Sequence, residues 1–126
     1  MRRAQMATYN SQTCVTLEAG ADLSSNQFHF VTMDSDGQLS VSTDGAASIG
    51  VLLNDPAAAG RAAEVCIGGL TRVEAGGTVA AGAAVASNST GEAITAGTDD
   101  IILGTAVTGG ADGEVISIVF QPRGAA

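Results

Sequence analysis

The sequence predicts an all-β fold, a small single-domain sandwich or barrel-like arrangement of short strands. Turn-forming clusters recur along the 126 residues, among them Asp34-Ser35-Asp36-Gly37, Asp44-Gly45, Asn54-Asp55-Pro56, Gly76-Gly77, Ser87 to Gly91 and Gly109 to Gly113. Short runs rich in Val, Ile, Thr and Phe lie between them, which is the pattern of many strands joined by tight turns. Several runs alternate apolar and polar residues with the period of two that a half-buried strand requires. The core available to such strands is light. There are 23 alanines and 17 glycines, no tryptophan, one tyrosine (Tyr9) and three phenylalanines (Phe28, Phe30, Phe120). A small domain with few bulky anchors is a candidate for stabilisation by oligomerisation or by docking on a partner.

The first strand is expected at Thr13-Cys14-Val15-Thr16-Leu17, after a polar lead, Met1 to Gln12, that lacks core-like periodicity. That division gives an N-terminal arm over 1–12 and a β-rich domain over 13–126. In Gln27 to Met33 the alternation puts Phe28 and Phe30 on one face as core anchors and His29 on the opposite, outward face. Leu39 and Val41 share a face in the next run, with Gln38, Ser40 and Ser42 on the polar side. Asp55-Pro56 before three alanines resembles a helix start, but Gly60 follows at once, so the stretch reads as loop or short strand. Val79 to Ala86, interrupted by Gly82, reads the same way.

Ala62 to Ala75 is either a hairpin or one long strand with a bulge, because Gly68-Gly69 permits both. The final strand, Glu114 to Gln121, puts Ile116, Ile118 and Phe120 on one face but also Val115 and Val119 on the other. A strand apolar on both faces is central or covered by a partner. An internal echo links two segments. Ile49-Gly50-Val51-Leu52 leads through a loop to Glu64-Val65, and Leu103-Gly104-Thr105-Ala106 leads through a loop to Glu114-Val115. Two copies suit two similar hairpins in one domain and are too few for a solenoid.

Charge and reactive groups exclude more than they indicate. Thirteen acids against five arginines and no lysine leave a formal charge of −8, which disfavours nucleic acid as a partner. No apolar run has the length of a membrane span, and Met1 to Gln5 lacks the apolar stretch of a secretory signal, so a protein made in a cytoplasm is expected. Cys14 and Cys66 have no CxxC spacing and read as small strand thiols; bridging them would require neighbouring strands. The one histidine, His29, has no local motif linking it to either cysteine as a catalytic dyad. No zinc-ligand spacing is visible, and Asp34-Ser35-Asp36-Gly37 lacks the later glutamate of a calcium loop. Phosphate-cradling motifs are also lacking. No cofactor, metal or catalytic residue is expected, and the protein is read as a non-enzyme that binds.

The order of strands and small-residue turns resembles the head-decoration, or capsid cement, proteins of tailed bacteriophages. The resemblance runs from Thr13 to Phe120. It rests on Thr13 to Leu17 with Ala19-Gly20-Ala21, on Ile49-Gly50-Val51, on Ala63 to Leu70, on Val73 to Val85, and on Ile102 to Val107 with the final strand. It implies a β-rich virion protein on the outer surface of an expanded capsid, commonly a homotrimer at threefold and local threefold positions. Such a protein bridges capsomers of the major capsid protein and resists internal DNA pressure. The longer polar lead and the two cysteines depart from the family pattern.

Partner-binding candidates follow from outward-facing apolar and charged groups: Val115, Val119 and Arg72, together with Arg2, Arg3, Met6 and Tyr9 of the lead. The lead reads equally well as an arm that orders on a partner and as a frayed terminus. The competing class is a carbohydrate- or cell-surface-binding β-domain of a fibre or adhesin. It calls for an aromatic platform, and Tyr9 and three phenylalanines are all the chain offers.

Overall fold

The computed structural model describes residues 12–126, and among these there is no helix, so none is long and apolar enough to cross a membrane. The nine strands are β1 (Thr13–Glu18), β2 (Phe30–Met33), β3 (Leu39–Val41), β4 (Gly50–Leu52), β5 (Ala62–Glu74), β6 (Ala84–Ser87), β7 (Ala93–Thr95), β8 (Gly104–Ala106) and β9 (Val115–Phe120). They form one sheet in the order β3-β2-β4-β5-β9-β8-β6-β7, with β1 on β5 beside this path. Every strand pairing in it is antiparallel. The all-β expectation holds.

β5 is the spine. The stretch Ala62 to Ala75 is one long strand and not a hairpin, because its two halves have different partners. Residues 62–68 pair with β1, Cys66 and Val65 pair with β4, and Gly69 to Glu74 pair with β9. The change of partner occurs at the paired glycines, where Gly69 takes φ 92, a left-handed conformation that favours glycine. Just before it, the register with β1 slips by one residue between Thr13 and Cys14, leaving Ile67 as the extra residue of a bulge.

The sheet curls into two lobes about this spine. In the first, a bridge between Ala19 and Leu39 brings the end of β1 to β3; in the second, a bridge between Ala75 and Ala93 brings the end of β5 to β7. Each lobe has its own core. Val31, Leu39, Leu52, Ala63 and Val65 pack with Leu23 in the first. Val73, Val79, Val85, Leu103, Ile116, Ile118 and Phe120 pack in the second, and Phe30 and Val51 reach it from the back of the first. Phe30 and Phe120, with ring centroids 6.2 Å apart, join the lobes. The sequence echo corresponds to the β4–β5 and β8–β9 hairpins, one in each lobe.

Three details differ from the alternation read in the sequence. Phe28 is half-buried and not a core anchor, and His29 is buried and not outward. The cause is local: β2 begins only at Phe30, and Phe28 has φ 66, so the period of two does not extend back through these residues. Ser42, expected on the polar face, is buried because β3 ends at Val41 and the chain turns inward, its amide donating to the Phe30 carbonyl. The alanine-rich stretch after Pro56 is loop, and Val79 makes only an isolated bridge to Gly110 before β6.

Candidate docking face and polar junction

Alternation along the second half of β5 buries Thr71 and Val73 and turns Leu70 and Arg72 outward. β9 does the same, burying Ile116, Ile118 and Phe120 and turning Val115 and Val119 outward. The register sets Leu70 opposite Val119, Arg72 opposite Ser117 and Glu74 opposite Val115. Side chains paired in this way lie roughly 5 Å apart at Cβ. On the other side of β9, Thr105 of β8 stands opposite Val119 and accepts a hydrogen bond from Arg123 at 3.1 Å. The result is an outward face carrying Leu70, Val115 and Val119 at 41%, 49% and 37% exposure, a large apolar share for a surface with no partner present.

Beside this face lies a cleft of about 340 Å³ lined by Gln12, Phe28, Leu53, Leu70, Thr71, Arg72 and Ser117. The Arg72 guanidinium sits over the Phe28 ring, 5.9 Å from its centroid, and has no carboxylate at ion-pair distance among the described residues. The buried Thr71 Oγ has no hydrogen-bond partner among the described residues. Of the residues singled out from sequence, Arg72, Val115 and Val119 are thus brought onto one face, and Leu70 and Phe28 join them. Leu70 was legible once β5 was known to be continuous; Phe28 was not, because its placement follows from its left-handed backbone. Arg2, Arg3, Met6 and Tyr9 lie outside the described residues.

At one end of the same face is a polar junction. The amide of Glu74 donates to the Phe28 carbonyl, so the segment before β2 lies against the edge of β5 that no strand occupies among the described residues. This brings His29 against Glu74, with Nε2 3.0 Å from Oε1, while its Nδ1 lies 2.8 Å from the Thr90 carbonyl oxygen. Glu92, from the β6–β7 connection, completes the group: one ligating atom from each of His29, Glu74 and Glu92 lies within 4.8 Å of the others. Glu92 Oε1 accepts hydrogen bonds from the Asn88 side-chain amide at 3.1 Å and the Thr90 hydroxyl at 2.9 Å. The Asn88 bond above all, then Thr90 and the neighbouring His29 and Glu74, holds the Glu92 carboxyl below its ordinary pKa against an opposing effect of burial. The three residues come from distant parts of the chain, so no local spacing announced them.

The cysteines are elsewhere. Cys14 and Cys66 are direct cross-strand partners on β1 and β5, both free, the first exposed and the second buried. Partial desolvation, then Cys66 and Glu64, push the Cys14 thiol pKa up, which disfavours the reactive thiolate. Neither cysteine is a hydrogen-bond partner of His29 among the described residues.

Comparison with known proteins places these features in context. A family model described as phage cement protein matches residues 7–121. Among solved structures, the chain is similar to the N base of the head fiber gp8.5 of bacteriophage phi29, with a TM-score of 0.72 and 16% identity over 92% of this chain and 98% of that one. At that identity the likeness is one of fold. A comparison with curated proteins gave no match.

Proposed function

The chain belongs to the phage cement protein family, a capsid-associated structural family, and from that premise we propose that it binds the outer surface of an expanded head and bridges neighbouring capsomers. It does so as a homotrimer at threefold and local threefold positions, contacting the major capsid protein and its own copies. The observation that carries this reading is the outward β5–β9 face, where Leu70, Val115 and Val119 stand exposed around an Arg72 with no ion-pair partner among the described residues. Apolar residues beside an exposed arginine suit the centre and rim of a protein interface.

The net charge of −8 keeps such a protein off packaged DNA. Gln12 lines the cleft next to this face, so residues 1–12, with Arg2, Arg3, Met6 and Tyr9, join the 13–126 domain where the contact is proposed. They act in this reading as an arm that extends the contact. Repetition over a shell multiplies weak individual contacts into a firm attachment.

Expanded heads lacking the protein, titrated with the purified chain and sedimented, test the proposal. It predicts saturable binding at a fixed ratio and a higher melting temperature of the shell. Val119→Asp and Leu70→Asp weaken binding at least about tenfold while changing the isolated protein's stability by only about 0.5 kcal/mol, as exposed positions do. Wild-type protein that stays in the supernatant refutes it.

A further inference from the structure

We propose that His29, Glu74 and Glu92 bind one divalent transition-metal cation, zinc in the first instance, at the junction between the two lobes. The imidazole is already in the orientation a metal ligand needs. The Thr90 carbonyl can only accept, so its 2.8 Å contact requires the proton on Nδ1; Nε2, 3.0 Å from Glu74 Oε1, shares a proton with that carboxylate, and a cation takes the place of this proton, which leaves to solvent. A backbone carbonyl holding the far nitrogen is the usual support of a metal-bound histidine.

The two carboxylates supply the rest of the donor set. Asn88 and Thr90 hold Glu92 through Oε1, and these hydrogen bonds keep it ionised. Glu74 is fixed by β5. Two carboxylates meet at one buried imidazole, and a charge of +2 offsets both. One nitrogen and two oxygen donors, their ligating atoms within 4.8 Å, suit a cation that binds its ligands at about 2.0–2.2 Å and keeps a fourth position open. Imidazole in the set favours zinc over magnesium or calcium, which prefer oxygen alone.

The backbone leaves room for this convergence. A Cβ on Gly76 would collide with the side chains of Asn88 and Glu92, and one on Gly91 with the Phe30 carbonyl and Val41, so the β6–β7 connection lies flush against β5 and β2 only because both positions are glycine. A bound cation would tie together the start of β2, the end of β5 and the start of β7. That would couple the lobes through three chain segments distant in sequence.

Zinc chloride alone is the probe, with native mass spectrometry and calorimetry at neutral pH on the full chain, its Cys14→Ser variant, His29→Gln and Glu92→Gln. The proposal predicts one zinc per chain in wild type and in Cys14→Ser, with a melting temperature raised by zinc and not by magnesium. Glu92→Gln, which keeps the size and the acceptor of the side chain, weakens zinc at least about tenfold, as does His29→Gln. Circular dichroism of the Glu92 variant confirms that it is folded. Zinc that fails to bind wild type, binds Glu92→Gln as tightly as wild type, or is lost with Cys14→Ser overturns the assignment.

Discussion

Glu92 couples the polar junction to pH. Its carboxyl pKa is lowered in the folded chain, chiefly by the Asn88 side-chain amide, so the native state favours the ionised form relative to the unfolded chain. The contribution is complete above the ordinary value of 4.5 and is lost as the pH falls through the lowered folded value. Chemical denaturation between pH 7 and pH 3, without added metal, should show Glu92→Gln less stable than wild type at neutral pH, with the difference shrinking on the acid side of 4.5. A difference that grows on acidification contradicts the hydrogen-bond account. His29 shows why this junction was hidden in the sequence. Alternation in Gln27 to Met33 turns its ring outward, but the left-handed backbone at Phe28 ends that alternation two residues before β2. A lone histidine then gains its partners from β5 and the β6–β7 connection, a tertiary event that no spacing encodes.

Glycine explains the sequence echo among the elements. A Cβ at Gly50 would meet the Cys66 carbonyl oxygen across the β4–β5 pair, and a Cβ at Gly104 would meet the Val119 carbonyl oxygen across β8–β9. Both glycines let a short strand approach a long one, which is why the apolar-Gly pattern recurs once in each lobe. Gly68 differs: a Cβ there meets nothing within 4 Å, and its backbone is not in the left-handed region. Gly104→Ala should therefore destabilise by about 1–3 kcal/mol, the usual cost of overpacking, whereas Gly68→Ala is near neutral. Urea unfolding of the two variants tests this, and equal effects would contradict it. The final strand was fully legible, since Ile116, Ile118 and Phe120 are the buried set its alternation gave. β5 was not: its continuity depends on partners far away in the chain, and Gly68-Gly69 fits a turn as well as a bulge.

Among the described residues, two small cores meet through one aromatic contact, Phe30 against Phe120. That economy of bulky residues follows from the composition, and it is consistent with a chain completed by its surroundings. The outward placement of Arg72, Val115 and Val119 was readable from β-strand periodicity alone; their gathering onto one face with Leu70 needed the β5–β9 register. The central claim is that this face is the attachment surface. The most direct measurement is electron cryomicroscopy of expanded heads carrying the bound protein, at side-chain resolution. The account predicts that Leu70, Arg72, Val115 and Val119 are buried against capsid protein or a neighbouring copy. Density that places the β5–β9 face toward solvent on every bound copy would contradict it.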